Sequence, residues 1–386
     1  MKILIYTHEF PPITGGAGIY AYNLANGLKK IGEKVFLLGP IQDISSGFDN
    51  IVDFKLHRDT LNGRSDKTVK KVVTRFVKKV APDHIIVADS QAQLYSARLN
   101  LLESYKYTIA VHGSELYRNF INYVVDSKID KSSNIYQFYR NAENIIAISE
   151  STKKKTLEIL PEFKNKIYKI IHGINIDLFP LLAKKDIEFF KEKLGIQNKT
   201  IIFNCSRLSP GKGHMLLLKI FSKLCAENDN LFLLIAGTGP KKIEIEQEII
   251  RLKLKNKVKL LGLVDYNKLY KYYNISDLFI MISQRDKIND FESFGLVYLE
   301  AASCGKPSLA SNIGGVSEAV EDNFSGILVN PKNEKEIYQK MQLMIINQNL
   351  RERMGKFARE RTLNKFDNKI MADKTLKLLT NKKYAK

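Results

Sequence analysis

Short apolar runs alternate with amphipathic stretches along most of the chain. "KILIYT" comes first, followed by a glycine-containing turn and the helix-like "GIYAYNLANGLKKIG". "KVFLLG", "HIIVAD", "YTIAVHG", "NIIAIS" and "IYKIIHG" continue the series. Continuous apolar strands separated by helical periods predict a parallel sheet covered on both faces. The lysine-rich "PLLAKKDIEFFKEKLGIQNK" breaks the rhythm and predicts a linker with one helix. The alternation resumes with "TIIFNCS", "NLFLLIAG", "VKLLGLV", "DLFIMIS", "PSLAS" and "GILVN". The pattern therefore predicts two doubly wound α/β domains, residues 1–180 and 181–365, facing a central cleft, and a last helix from "FDNKIMADKTLKLL" within 366–386. Sheets of this kind bind ligands beyond the carboxyl ends of their strands.

Composition agrees with a globular chain. It has 386 residues, enough for two domains, and 44% of them are hydrophobic. Cys205, Cys225 and Cys304 are an odd number without CxxC spacing, which predicts reduced thiols in a cytoplasmic protein. No run of about 18 apolar residues predicts a membrane-spanning helix. "MKILIYTHEF" turns polar early and is expected to be a strand, not a leader. The formal charge is +20 and uneven. Residues 1–180 hold 25 Lys/Arg against 18 Asp/Glu, residues 181–386 hold 36 against 23, and the last 36 residues hold 12 against 4. An anionic partner is favoured, whether nucleotide, nucleic acid or acidic membrane face, although solvated lysine-rich surfaces give the same excess.

Several strand ends carry residues suited to such a partner. In "PPITGGAGIY", Gly15 and Gly16 lie between a strand and a helix. There the backbone can approach an anion, but the spacing is not that of a dinucleotide fingerprint, and a plain turn explains it equally. In "SRLSPGKGH", Arg207 and Lys212 are suited to a diphosphate, one as a fork and the other as a point charge. "AGTGP" says little by itself. His112, after "YTIAV", is suited to hydrogen bonding or proton transfer, and His172 has the analogous place one strand later. A structural role for either histidine remains open.

The stretch "DFESFGLVYLEAASCGKP" predicts a helix beginning near Gly295 and ending at Gly305–Pro307. Glu292 then precedes the helix and Glu300 lies in its last turns, roughly 12 Å along the axis. That exceeds the roughly 5–9.5 Å of a glycosidase acid pair, so the two suit opposite ends of an elongated ligand. The N–H groups of Phe294, Gly295 and Leu296 suit a phosphate, while carboxylates suit sugar hydroxyls. One glutamate for a sugar, the other for a ribose and a diphosphate between them is one reading; ordinary surface charges is the other. No Asp-x-Asp occurs, so an obvious carboxylate pair for a divalent cation is missing. No Ser/His/Asp or Cys/His set has a recognisable local context for acyl chemistry.

Taken in order, these segments resemble the retaining glycosyltransferases of GT-B fold in family four of the sequence-based classification. "PPITGGAGIY" is similar to that family's diglycine loop, "VHGSEL" to its His-Gly-x-Glu segment and "HGINIDLF" to its interdomain motif. "SRLSPGKGH" is similar to its Arg…Lys-Gly loop, and Glu292-SFGLVYL-Glu300 to its E-x7-E motif. The resemblance implies an acceptor-binding N-terminal domain and a nucleotide-sugar-binding C-terminal one, with the last helix packing back on the first. It implies that Gly15 and Gly16 approach the diphosphate, that Arg207 and Lys212 hold it, and that Glu292 meets donor-sugar hydroxyls. The Phe294–Leu296 backbone would meet sugar and phosphate, Glu300 the ribose, Val264 the base, and His112 the transferred sugar.

No cofactor or metal is implied. The implied partners are a nucleoside diphosphate sugar, UDP- or GDP-linked, and a glycan or lipid-linked acceptor in cell-envelope polysaccharide, lipopolysaccharide or glycolipid synthesis. Ser293 stands where a glycine is frequent, and Phe366 where a tryptophan is often seen. A nucleotide-sugar 2-epimerase and a non-enzymatic nucleic-acid binder are the rival classes. "SDKTVKKVVTRFVKKV" gathers Val69, Val72, Val73, Phe76, Val77 and Val80 on one helical face, with lysines around the rest. It is either a core helix with a basic outer face or a helix lying on the inner face of the cytoplasmic membrane.

Overall fold

The computed structural model of the chain describes residues 1–12, 15–41, 48–120, 124–125, 128–284 and 292–381. Ile13 and Thr14 of the diglycine stretch, Asp290 and Phe291, and residues 382–386 of the expected last helix fall outside them. The chain forms two compact units. Unit 1 comprises Met1–Asn175 and Phe366–Lys386, and unit 2 comprises Ile176–Lys365.

The strands of unit 1 are β1 (Lys2–Tyr6), β2 (Lys34–Pro40), β3 (Lys55–Asp59), β4 (His84–Val87) and β5 (Tyr107–Val111), then the short pair β6 (Val124–Val125) and β7 (Lys128–Ile129), and finally β8 (Asn144–Ala147) and β9 (Ile167–Lys169). Seven of them make one parallel sheet in the order β3-β2-β1-β4-β5-β8-β9. The order reverses between β1 and β4, and a doubly wound sheet opens its crevice at that kind of point. Strands β4, β5 and β8 are buried along their whole length, as helix cover on both faces requires. The sequence pattern misses β3. Its residues "KLHRD" carry one apolar side chain, because an edge strand is only half covered.

The helices of unit 1 are α1 (Gly16–Lys30), α2 (Asp66–Val80), α3 (Ser90–Leu99), α4 (Ser114–Phe120), α5 (Asn134–Asn141) and α6 (Glu150–Ile159). Ser65 caps α2 by accepting from the Thr68 N–H, and Ala81 ends it in the left-handed region. Its Val69, Val72, Val73, Phe76, Val77 and Val80 are all buried, in one core cluster with residues of β1, β4, β5, α3 and α5. The apolar face of α2 is therefore core. Lys67, Lys70, Lys71, Arg75, Lys78 and Lys79 are exposed on its outer side.

Unit 2 holds a six-stranded parallel sheet of β10 (Thr200–Cys205), β11 (Leu231–Ala236), β12 (Val258–Gly262), β13 (Leu278–Met281), β14 (Ser308–Ser311) and β15 (Gly326–Val329), in the order β12-β11-β10-β13-β14-β15. The reversal here lies between β10 and β13. The helices are α7 (Lys184–Leu194), α8 (His214–Glu227), α9 (Lys242–Arg251), α10 (Leu269–Ile275), α11 (Leu296–Ser303), α12 (Val316–Ala319), α13 (Glu334–Ile346) and α14 (Gln348–Lys365). The division falls between Asn175 and Ile176 and not after residue 180. Phe179 is fully buried against the rings of Tyr266 and Tyr273, so this short run of chain belongs with unit 2.

The last helix, α15 (Asn368–Leu379), packs on α1 in unit 1. A Cβ at Gly27 would lie 2.3 Å from the Asn368 carbonyl oxygen, so the approach of these helices depends on that glycine. Asn368 donates through Nδ2 to the Asn23 carbonyl and to Asn26 Oδ1. Its backbone N–H donates to the Ile174 carbonyl, and the Ile174 N–H donates to that of Phe366.

Candidate active site

In unit 2 the chemistry-bearing residues collect where β10 and β13 part. The loop after β10 carries Arg207 and Lys212 and ends at Gly213, which precedes α8 in the left-handed region (φ +71°). A Cβ there would sit 1.8 Å from the Ile282 carbonyl oxygen, so only glycine lets this loop lie against the chain leaving β13. The Gln284 N–H donates to the Gly211 carbonyl at 2.7 Å and ties the same two segments together. His214 is buried and shares a 3.0 Å hydrogen bond with Ser206 Oγ. Burial, aided by the Lys212 charge, pulls its pKa down to about 4, so it closes the loop as a neutral ring.

Lys212 Nζ lies 2.6 Å from Glu292 Oε2, and Ser283 Oγ donates to the same oxygen at 3.0 Å. The tie joins the loops after β10 and β13. Glu292 itself is held by its backbone, whose carbonyl accepts the Gly315 N–H at 2.9 Å. Arg207 is exposed and forms no ion pair among the described residues. Beyond Glu292, Phe294 is buried and Gly295 takes φ +88°. A Cβ on Gly295 would stand 2.5 Å from the Tyr298 ring. Helix α11 starts at Leu296 with no side chain capping it and no acidic residue in its first turn. Its N-terminus thus keeps a positive dipole end and N–H groups for an anion.

Glu300 lies in the same helix but faces the interior. It is 2% exposed, and the Tyr273 hydroxyl donates to its Oε2 at 2.8 Å. Burial raises its pKa to about 7, against the opposing hydrogen bonds from Tyr273 and Tyr266. Burial, followed by the Glu300 charge, also pushes the Cys205 thiol far up. Val264, partly exposed, follows β12.

In unit 1, Gly15 precedes α1 in an extended conformation and donates its N–H to Glu9 Oε2 at 3.2 Å. A Cβ on Gly16 would meet nothing within 4 Å, which leaves the start of α1 open on that side. His112 follows β5 and shares a 2.8 Å hydrogen bond between Nε2 and the Ala88 carbonyl. The Tyr20 ring stands edge-on to it at 5.0 Å, and His172 lies 6.0 Å away. Burial and the neighbouring His112 hold the His172 pKa well below its ordinary value.

The structure thus joins Lys212 to Glu292 and sets both beside the start of α11, while Glu300 is turned toward tyrosines. Sequence reasoning did not find Ser283, Glu9, Tyr273 or Ala88. Each is an ordinary residue in its own segment, and only packing within its own unit brings Glu9 to Gly15, Ala88 to His112, Ser283 to Glu292 and Tyr273 to Glu300. Among the described residues, no group of three His, Cys, Asp or Glu side chains is placed to hold a metal ion. No helix among them is long and apolar enough to cross a membrane.

Two family models match the chain. Residues 186–361 fit the one described as glycosyl transferases group 1, and residues 14–178 fit glycosyltransferase family 4. The chain is 29% identical over 351 residues to an uncharacterised glycosyltransferase of Methanocaldococcus jannaschii, covering 87% of each. It is 26% identical to the alpha-monoglucosyldiacylglycerol synthase of Acholeplasma laidlawii, covering 87% of this chain and 86% of that one. The crystal structure of Anabaena HepE in complex with UDP and glucose superposes with a TM-score of 0.78 at 20% identity, covering 99% of this chain and 100% of the other.

Proposed function

We propose a donor class, an acceptor class and a stereochemical course for this chain, which belongs to the group 1 glycosyltransferases of GT-B fold. It moves a hexose or N-acetylhexosamine from a nucleoside diphosphate sugar to a glycan or lipid-linked acceptor of the cell envelope, with retained anomeric configuration. The carrying observation is the 2.6 Å Lys212–Glu292 pair beside the uncapped start of α11, at the point where the unit 2 sheet reverses. A cation, a hydroxyl acceptor and a helix dipole in one place suit a sugar joined to a diphosphate.

In this reading Arg207 and Lys212 hold the diphosphate together with the Phe294, Gly295 and Leu296 backbone. Glu292 accepts from the donor sugar, Glu300 from the ribose, and the base packs near Val264. Gly15 and Gly16 give the diphosphate close backbone approach, and His112 meets the transferred sugar. The bond from the anomeric carbon to the phosphate oxygen breaks as the acceptor oxygen bonds to that carbon on the same face. The acceptor proton passes to the departing phosphate oxygen. Preorganised cations and N–H groups stabilise the leaving diphosphate, so the step needs no metal and no strong enzyme base. The acceptor class is supported by a relative named for making a glucosyl diacylglycerol, and a UDP-linked donor by the UDP complex of HepE. The exposed basic side of α2 is the surface we assign to an anionic membrane, a peripheral contact on its cytoplasmic face.

A donor screen by ligand-observed NMR against UDP-, GDP- and ADP-sugars, without added metal, tests this reading. Binding of one nucleotide class, lost in Glu300→Ala and in Arg207→Ala/Lys212→Ala, supports it. Folded protein that binds none of them overturns it.

A further inference from the structure

Beyond the carboxyl ends of β14 and β15 lies a cavity of about 730 Å³ that the scheme above leaves unused. Its size is within the roughly 300–1,000 Å³ of small-molecule sites. Gln284, Asn312 and Asn330 follow β13, β14 and β15, so three neighbouring strands each bring one amide to it. Lys332, just before α13, and Glu336, in its first turn, add one charge of each sign. Asn330 Oδ1 accepts the Lys332 N–H at 3.0 Å, which leaves Nδ2 as a donor. The side chains of Gln284, Asn312, Lys332 and Glu336 have no hydrogen-bond or ion-pair partner among the described residues. Ile313, Leu328 and Pro331 supply the apolar part of the lining.

This lining selects a ligand. A phosphate would meet Glu336 and a cation would meet Lys332, so the pair favours a neutral molecule. An amide sets a donor beside an acceptor, and a sugar hydroxyl both donates and accepts. The aliphatic side chains suit the C–H face of a sugar ring. The cavity also adjoins Glu292. Gln284 follows Ser283, whose Oγ donates to Glu292 Oε2. The loop of Asn312 and Ile313 runs on to Gly314, where a Cβ would lie 2.0 Å from the Glu292 carbonyl oxygen, and to Gly315, whose N–H donates to that oxygen. We propose that the cavity is a saccharide subsite of unit 2, separate from the nucleotide-sugar site and next to it at Glu292, which takes a neutral sugar ring of the acceptor. The amides hold its hydroxyls and the aliphatic lining its C–H face. Sugar binding follows from the cavity, and assigning that sugar to the acceptor rests on the glycosyltransferase reading.

The test is titration of 15N-labelled protein with the methyl α-glycosides of glucose, galactose, mannose and N-acetylglucosamine, with and without saturating UDP. At least one glycoside is expected to bind saturably, with a dissociation constant on the order of millimolar, and to shift the side-chain amide signals of Gln284, Asn312 and Asn330. Each signal is assigned by its loss on substitution. Saturating UDP should leave this binding in place. Gln284→Ala and Asn312→Ala should each weaken it about fivefold, the worth of one neutral hydrogen bond. Asn312→Trp fills the cavity from an exposed position and should abolish it.

No saturable shift of those signals with any of the glycosides overturns the proposal, as does binding that Asn312→Trp leaves unchanged. Inorganic phosphate that moves the same signals at lower concentration than every glycoside overturns the neutral ligand and with it the proposal. UDP affinity is read on the same samples. It should stay within about twofold of wild type in Asn312→Ala, since that side chain is no part of the donor site. Glycosides that bind in this way to a protein that ignores UDP leave the saccharide subsite standing and sink the donor reading. UDP binding without glycoside binding does the reverse.

Discussion

Glu300 shows how one side chain can be costly in the free protein and useful to it. Its ordinary carboxyl pKa of 4.5 becomes about 7 inside unit 2 because burial penalises the charged form. The folded protein therefore binds this proton more tightly than the unfolded chain. The resulting stabilisation is complete below pH 4.5 and is lost as the pH rises through about 7. A shift of this size corresponds to about 3 kcal/mol. Glu300→Gln removes the titration. The stability of the variant relative to wild type should grow by about that amount between pH 4.5 and 7 and then level off. Urea unfolding at a series of pH values checks this, and a difference that does not vary with pH would refute it. Arg207 is the opposite kind of residue, exposed and without an ion pair among the described residues, while half-exposed Lys212 also ties down Glu292. Arg207→Ala should leave the melting temperature nearly unchanged, adding Lys212→Ala should lower it through the lost tie to Glu292, and the double variant should weaken nucleotide-sugar binding at least about a hundredfold, since each charged hydrogen bond is worth about 1.5–3 kcal/mol. Calorimetry on the same samples reads both.

At the scale of elements, the site is held by loops that press backbone against backbone. Gly213 is the clearest case, with a positive φ and the Ile282 carbonyl where a Cβ would stand. Gly213→Ala should destabilise unit 2 by more than about 1 kcal/mol and reduce donor binding as well, because the Lys212–Glu292 tie crosses the same seam. A denaturant midpoint equal to that of wild type would refute this. Helix α2 illustrates how an element divides its two faces. Its valines and Phe76 are spent on the core, so any membrane contact is electrostatic and does not insert. Sedimentation with phosphatidylglycerol vesicles should therefore occur at low salt and vanish near 1 M, where the Debye length falls to about 3 Å. It should also weaken in Lys70→Glu/Lys71→Glu/Lys78→Glu. Binding that survives high salt would show insertion.

For the whole molecule, α15 is the piece whose place in sequence and place in space differ most. It follows all of unit 2 yet completes unit 1 through Gly27, Asn23 and Asn26. Deleting residues 366–386 should lower hydrogen-exchange protection in α1 and β1 while leaving β10 and β11 protected. Equal loss in both units would show that they unfold together.

The sequence by itself determined the two doubly wound sheets, nearly all of their long strands, and the ends of α11. Those features are local: apolar runs buried on both faces, and glycine and proline where a helix stops. It also supplied the glutamate pair and the Arg/Lys loop, because their spacing is written along one stretch of chain. Edge strand β3 stayed hidden because a half-covered strand has no need of an apolar run. Only the tertiary structure decided that the apolar face of α2 is core, since the same helical period serves a core or a lipid surface. The fold alone buried Glu300 beneath Tyr273, drew Lys212 and Ser283 onto Glu292, and set the Ala88 carbonyl against His112. The Lys212–Glu292 and Ala88–His112 contacts join the ends of different strands, and the Tyr273–Glu300 contact joins two helices. Their partners are fixed by the order of strands in a sheet, which no local run of residues encodes.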